Sequence, residues 1–150
     1  MEKFKFENED CRQYINLLQE NINRMAANSS SCKTWLVSII AALLAVQAAL
    51  KEMVCVLLIG SIGFILLFYL LDSYYLGLER RFIILEKTFI DHLKSNEDYH
   101  DDMYNLNPQK IGKSGGDVKF TLKAMKSFST WPFYGILLIS VIALFLYFYF

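Results

Sequence analysis

The chain has 150 residues, of which 55% are hydrophobic and 15% aromatic, whereas a soluble domain is about 45–50% apolar. Its 15 Lys and Arg balance its 15 Asp and Glu, which argues against a nucleic-acid-binding protein because such proteins carry a basic excess or stripe. The three cysteines are odd in number and far apart, so neither a disulfide framework nor a zinc site is expected.

Residues 1–33 are charged and polar, and they are expected to form a cytoplasmic segment with one amphipathic helix. Apolar side chains recur there at spacings of four and three, the period of a helix with one apolar stripe: Cys11, Ile15, Leu18, Ile22 and Met25. This helix is expected to end near Ala27, before the polar run 28–31. Its polar face carries both signs of charge, which favours packing on another helix over lying on a membrane surface. No cleavable signal sequence is expected, because the segment has no apolar run.

Three apolar blocks predict transmembrane helices at residues 34–50, 53–71 and 131–150. Crossing a hydrocarbon core of about 30 Å takes roughly 17–25 residues of helix, and the blocks contain 17, 19 and 20 residues. Only Lys51 and Glu52 separate the first two blocks, so these can only form an antiparallel hairpin. The alternative for each block is the buried core helix of a soluble protein, and the short, alanine-rich first block fits that alternative best.

The distribution of Lys and Arg predicts the orientation of the chain. Five lie in residues 1–33, one in the hairpin turn and nine in residues 72–130. Cytoplasmic loops of membrane proteins carry an excess of Lys and Arg. We therefore expect the N-terminus and residues 72–130 in the cytoplasm, with the turn and the C-terminus outside.

The second span is expected to continue as a cytoplasmic helical extension over residues 72–95. No proline interrupts this stretch, and one helix from Met53 to about Lys94 would be roughly 60 Å long at about 1.5 Å per residue. The hairpin brings the extension and the N-terminal helix to the same membrane face, where their apolar seams are expected to pack on each other or on neighbouring subunits. The residues assigned to this packing are Ile15, Leu18, Ile22, Leu78, Phe82, Leu85 and Phe89.

Six residues in or beside the first two spans are candidates for a pore or a helix interface: Ala41, Ala45, Gln47, Gly60, Gly63 and Asp72. Small residues one turn apart let helix backbones approach closely, and packing within the hairpin is the favoured explanation for them. Gln47 is expected at an interface or a pore, because an amide in hydrocarbon is costly, or else close enough to the outer turn to reach the headgroups. Asp72 either lines a pore mouth or binds a basic partner, or it is an ordinary interfacial acid.

Residues 96–130 are expected to form a cytoplasmic linker that carries little structure, apart from a short amphipathic helix at 119–128. Gly112, Lys113 and Ser114 look like the end of a phosphate-binding loop, but Asn107 stands where that loop needs a glycine. A metal site is disfavoured as well, because a fraying helix end does not hold ligands at fixed spacing. The side chains that could suggest such a site are His92, Asp98, His100, Asp101 and Asp102. We assign no catalytic residue, metal or cofactor, and expect that the chain is not an enzyme.

Two stretches carry a family resemblance: INRMAANSSSCKTWLVSIIAALLA at residues 22–45 and YLLDSYYLGLERRFIILEKTF at residues 69–89. The arrangement resembles the SLATT-type small membrane effectors of bacterial anti-phage systems, in which an N-terminal helix leads into a two-span hairpin whose second helix continues into the cytoplasm. The third span departs from that two-span pattern. The resemblance implies an all-α effector that a nucleotide or partner signal triggers and that then breaches the membrane.

The leading hypothesis is a homo-oligomeric effector that permeabilises the bacterial inner membrane in anti-phage, abortive-infection defence. Its expected partners are the lipid bilayer, further copies of the chain and a soluble sensor protein of the defence system, and nucleic acid is not among them. The alternative is a non-conducting membrane anchor or adaptor that recruits a soluble partner through its cytoplasmic helices. A membrane enzyme or small transporter is disfavoured, because the sequence lacks the internal repeats and broken spans that transporters show.

Overall fold

Four α-helices make up the part of the chain that the computed structural model describes, which is residues 9–49, 54–95, 104, 106–107 and 116–149. The helices are α1 (Glu9–Ala49), α2 (Val54–Ser95), α3 (Gly116–Met125) and α4 (Trp131–Tyr149). The described residues contain no β-strand. The all-α class predicted from the sequence is confirmed.

The first helix is continuous over 41 residues, so the expected end near Ala27 is wrong. The polar run is accommodated because the Ser29 hydroxyl finds an acceptor on another helix while its own helix continues. Ser29 donates to a carboxylate on α2, and the Thr34 hydroxyl donates to the backbone oxygen of Ser30 at 3.3 Å. A polar run therefore ends a helix only where nothing else satisfies its side chains.

The second helix is also continuous, over 42 residues, and is roughly 60 Å long at about 1.5 Å per residue. It pairs with α1 in an antiparallel arrangement along both its apolar and its polar half, so that Tyr14 contacts Phe89 at one end and Ile40 shares a core with Ile65 towards the other. Two separate apolar cores result. One lies between the charged halves of the two helices, and the other lies between their apolar halves and α4.

The third helix, which lies in the segment expected to carry little structure, packs on α2 at Gly77. A Cβ atom at Gly77 would lie 3.2 Å from the backbone nitrogen of Thr121, so any side chain there would push the α3 backbone outward. The helix begins and ends three residues earlier than the 119–128 expected from the sequence. A chain reversal at residues 126–130 then leads into α4, where the amide of Tyr134 donates to the backbone oxygen of Thr130 at 3.3 Å.

The fourth helix runs antiparallel to α2 along its apolar half. The Tyr134 hydroxyl donates to the backbone oxygen of Phe68 at 3.2 Å, and Leu138, one turn later, lies beside Ile65. Among the described residues, α1 and α2 are each long and apolar enough to cross a membrane, and α4 is a shorter apolar helix. Only 22% of the most apolar stretch of α1, and the same share of α2, is buried inside the protein.

Candidate functional site

A carboxylate is enclosed where α1, α2 and α4 meet. Asp72 of α2 is 0% exposed, and its Oδ2 lies 2.9 Å from the Nζ of Lys33 on α1. The Ser29 hydroxyl donates to the other carboxylate oxygen. Ser29 and Lys33 stand four residues apart and therefore on the same face of α1, so one helix turn supplies both partners.

The fourth helix contributes Tyr134, which is buried and interacts with the Asp72 carboxylate as well as with the backbone of Phe68. Its ring packs edge-on against Tyr69, with the ring centroids 5.2 Å apart. We call the group Ser29, Cys32, Lys33, Asp72 and Tyr134 the polar centre. It connects the three helices at the border between their apolar and charged halves.

Burial raises the pKa of two groups, one in the polar centre and one beside it. Burial, followed by the Asp72 carboxylate, raises the pKa of the Cys32 thiol above its ordinary value, although Lys33 opposes the change. Burial also raises the pKa of Glu79, which Arg80 and Lys33 partly offset. The Cys32 thiol is thus protonated at neutral pH and is a poor nucleophile. The arrangement can hold three helices together, but it presents no activated group for covalent catalysis.

A second set of contacts fixes α3 against α2. Arg81 is buried, and its guanidinium lies 5.3 Å from the centre of the Phe120 ring. The neighbouring Arg80 donates to the Ser127 hydroxyl at 2.8 Å, and the Tyr69 hydroxyl donates to the backbone oxygen of Met125 at 3.0 Å. The reversal between α3 and α4 is therefore anchored to α2 at Tyr69 and Arg80, on either side of Asp72 along the helix.

The six candidate pore or interface residues fall into two groups in the structure. Asp72 and Gln47 are buried inside the protomer, and the Gln47 amide nitrogen has no hydrogen-bond partner among the described residues. In contrast, Ala41, Ala45 and Gly63 are exposed, and no described atom would lie within 4 Å of a Cβ built at Gly60 or Gly63. The hairpin packs through larger side chains such as Leu36 and Ile40 instead. The favoured explanation of the small residues, packing within the hairpin, is therefore wrong.

All seven residues assigned to cytoplasmic helix packing lie in one cluster between α1 and α2. Near its end Tyr14 contacts Phe89, with the two rings edge-on and their centroids 4.7 Å apart. The two seams thus pack on each other within one protomer. They are not left exposed for a neighbouring subunit.

Sequence reasoning found Asp72 but missed Ser29, Lys33 and Tyr134 as its partners. A signal for the first two was present in the hairpin. Its symmetry about Lys51 and Glu52 places residue 31 opposite residue 72, so a hydroxyl and an ammonium flanking that position could have been assigned to the carboxylate. For Tyr134 the sequence contains no such signal, because the connection through residues 96–130 leaves the position of α4 open.

The other chemical candidates are not brought together by the described residues. No three His, Cys, Asp or Glu side chains within the described ranges lie close enough to hold a metal ion. Of the residues considered for a metal site, only His92 is described, and positions 98 and 100–102 lie outside those ranges, as do residues 112–114 of the loop-like motif.

In comparisons with known proteins, no family model, curated protein or solved structure matches this chain. The resemblance to SLATT-type effectors stays a prediction.

Proposed function

We propose that the chain is a multi-pass protein of the bacterial inner membrane. In this proposal α1, α2 and α4 each span the bilayer once, with the N-terminus and α3 in the cytoplasm and the C-terminus outside. The positive-inside distribution of Lys and Arg described above supports this orientation.

The observation that carries the proposal is the inverted distribution of polarity over the apolar halves of the helices. Large aliphatic side chains point outward: Ile59 is 70% exposed, Ile139 is 69% exposed, and Val56 and Ile136 are nearly as exposed. In the same region Gln47 and Ser61 are buried, and the exposed hydroxyls of Ser38 and Ser140 donate to backbone oxygens of their own helices. A soluble monomer rarely exposes so large a contiguous apolar surface, whereas hydrocarbon favours it.

The two tryptophans support the same placement. Trp35 of α1 and Trp131 of α4 are both exposed and stand at the inner ends of their apolar segments. Trp131 lies beside Tyr69, and the hairpin symmetry places Trp35 opposite residue 68. Tryptophan is enriched at the membrane–water interface. We therefore place both rings at the cytoplasmic membrane–water interface, with the polar centre close to it.

Within the membrane, we propose that the protein is a homo-oligomeric effector that permeabilises the bilayer in anti-phage defence. Ionisable groups buried among apolar helices are expensive and mark functional sites. The Lys33–Asp72 pair lies at the inner end of the apolar segments, and the core that the described residues of α1, α2 and α4 share is apolar and aromatic. Several copies must therefore associate, and the exposed Ala41, Ala45 and Gly63 offer surfaces on which helix backbones can approach closely.

The test measures membrane potential with a potential-sensitive dye in growing bacteria. Expression of the chain, alone or with its operon partner, should depolarise the cells. Leucine at both Ala41 and Ala45 should abolish depolarisation by separating the copies, without disturbing the protomer, because both positions are exposed. Ala143→Leu is the matched control, since Ala143 is exposed on a different helix, α4. If the well-expressed protein never changes the potential, even with its partner active, the permeabilising function is wrong.

The adaptor remains the second candidate, and one structural feature favours it. Residues 9–33 and 72–95 form a helical pair that extends about 35 Å beyond the apolar halves, at about 1.5 Å per residue. An anchor alone does not need such an extension. Purification of the full chain in detergent from its native host should then recover one soluble partner protein. Glu86→Lys and Gln19→Glu, at an exposed contact on the surface of this helical pair, should abolish that recovery.

A further inference from the structure

An apolar groove of about 200 Å³ lies between α2 and α4 and opens on the lateral surface of the helices. It is lined by Ile65, Leu66 and Tyr69 of α2 and by Trp131, Gly135 and Leu138 of α4. No described atom would lie within 4 Å of a Cβ built at Gly135. The absence of a side chain at that position therefore leaves space that the two helices do not fill.

The inner end of the groove is formed by the reversal between α3 and α4. The Tyr69 hydroxyl donates to the Met125 backbone oxygen at 3.0 Å, and the Trp131 amide donates to the Ser127 backbone oxygen at 3.1 Å. Both Tyr69 and Trp131 line the groove. The backbone of residues 125–131 thus borders it at the level of the interfacial tryptophans.

A basic surface adjoins this end of the groove. Lys119 and Lys123 of α3, together with Lys126 directly after it, are exposed. They lie on the side of α3 away from α2, because Thr121 faces Gly77 and Ala124 is buried on the opposite side. No acidic residue occurs between positions 118 and 131. Phe128, 86% exposed, stands beside these lysines. The surface therefore combines positive charge with apolar side chains.

We propose that the groove and the lysine surface together bind one anionic phospholipid of the cytoplasmic leaflet. One acyl chain lies in the groove, and the phosphate lies beside Lys123 and Lys126. Basic pockets next to spanning helices on the cytoplasmic side suit anionic headgroups, and Phe128 is placed to enter the headgroup region. The inference rests on the membrane insertion proposed above.

Charge complementarity selects this occupant over a second copy of the chain. A symmetric contact between two copies at this position would bring two lysine surfaces together, and like charges repel. A soluble acidic partner would neutralise the lysines but would leave the apolar groove unfilled. An anionic lipid satisfies both parts of the site with one molecule.

Trp131 provides a direct readout because it lines the groove. Trp35, the other of the two tryptophans, is replaced by phenylalanine, and the full chain is reconstituted in phosphatidylcholine vesicles. A minor share of the lipid is either brominated phosphatidylglycerol or brominated phosphatidylcholine, and the brominated acyl chains quench tryptophan on contact. We expect Trp131 to be quenched by the anionic lipid at a much lower share than by the zwitterionic one.

Two sets of variants test the two parts of the site. Lys123→Gln with Lys126→Gln should lower the preference for the anionic lipid on the order of tenfold. Gly135→Leu should reduce quenching by both lipids, because the new side chain fills the groove. The matched controls are Lys87→Gln with Lys94→Gln, exposed on the far part of α2, and Ala143→Leu, exposed on α4 outside the groove. These controls should keep the wild-type preference, and circular dichroism should show equal helicity in every variant.

Equal quenching by both lipids in the unmodified site, or a preference that survives the loss of both lysines, would overturn the lipid site while leaving insertion intact. If the protein shows no lipid preference and instead associates with itself through contacts that Gly135→Leu abolishes, the groove binds a second copy, and the lipid site is overturned as well. If no brominated lipid quenches Trp131 at all, the chain is not in the bilayer, and the proposed function fails together with the site.

Discussion

At the scale of single residues, Asp72 explains more of the structure than any other side chain. A buried carboxylate needs a counter-charge and hydrogen bonds, because desolvation of an isolated charge is very costly. Lys33 and Ser29 supply them from α1. The Lys33 side chain is 22% exposed, so its aliphatic part packs between the helices while its ammonium group keeps some contact with the surroundings.

Breaking the pair from one side should therefore destabilise the protein strongly. Lys33→Met leaves the Asp72 charge buried without a counter-charge and should lower the free energy of unfolding by about 3–5 kcal/mol. Combining it with Asp72→Asn should recover most of the loss, because no charge is then buried. Unfolding followed by circular dichroism in detergent micelles provides the measurement. Lys87→Met, at an exposed position, is the control and should change stability by no more than about 0.5 kcal/mol. A fully stable Lys33→Met single variant would contradict this account of the pair.

The Cys32 thiol should report whether the polar centre is closed. Cys32 is 1% exposed, and its raised pKa, caused by burial and then by Asp72, keeps the reactive thiolate scarce at neutral pH. In a variant with Cys11→Ser and Cys55→Ser, a thiol reagent should react slowly with Cys32, and faster as the pH rises towards that pKa. Lys33→Met removes a charge that lowers the Cys32 pKa, but it should still accelerate the reaction, because loosening the contact of α1 with α2 opens the thiol to the reagent. Fast labelling of Cys32 in the otherwise intact protein would show that the polar centre is open.

At the scale of helices, the contact of α3 with α2 depends on one glycine. Gly77 lies in the middle of a long helix, where glycine costs about 1 kcal/mol relative to alanine. The compensation is the close approach of the Thr121 backbone, which a Cβ atom would contact at 3.2 Å. Gly77 is therefore unfavourable for α2 by itself, but it is the residue against which α3 packs.

Enlarging this residue should detach α3 while α2 stays helical. Gly77→Leu forces the two backbones apart, at a cost of about 1–3 kcal/mol to the docking of α3. Hydrogen exchange at the amides of residues 119–125 should become correspondingly faster. Gly60→Leu serves as the control, because no described atom lies within 4 Å of a Cβ at that position. Unchanged protection of α3 in the Gly77 variant would mean that other contacts hold it.

At the scale of the whole molecule, the two halves of the α1–α2 hairpin face different surroundings. One half buries Tyr14, Phe82 and Phe89 between the helices and exposes most of its charged residues. The other half exposes many large aliphatic side chains around its own apolar core. The polar centre lies at the change from one half to the other. This division fits the membrane insertion proposed above, with one part of the protein in the bilayer and one part in water.

The orientation of this division can be measured by labelling. In a variant without the native cysteines, Tyr147→Cys should react with a membrane-impermeant thiol reagent in intact cells, because Tyr147 is 79% exposed near the outer end of α4. Ser95→Cys, exposed at the end of α2, should react only after the inner membrane is opened. The reverse pattern would contradict the proposed orientation, and labelling of both variants in intact cells would contradict three spans.

Periodicity and composition were sufficient to locate most of α1, α2 and α4 along the chain and to identify the apolar seams of α1 and α2. Both are local properties, since a stripe at helical spacing identifies the face that must be buried. They left open whether the two seams pack on each other or on neighbouring subunits, which the structure decided. They failed at residues 28–31, where the polar run continues the helix because Asp72 on another helix accepts its hydrogen bond.

Only the tertiary structure decided which helices enclose Asp72, where α3 and α4 pack, and which way the small residues face. The connection between Ser95 and α3 is long and does not constrain the position of α4 relative to the hairpin. That position depends on the fit of Tyr134 against Tyr69 and Phe68, and on the space left by Gly77 for α3. Shape complementarity between distant segments has no signature in the spacing of residues along one helix, so the groove beside Gly135 and the three-helix polar centre became visible only once the helices were assembled.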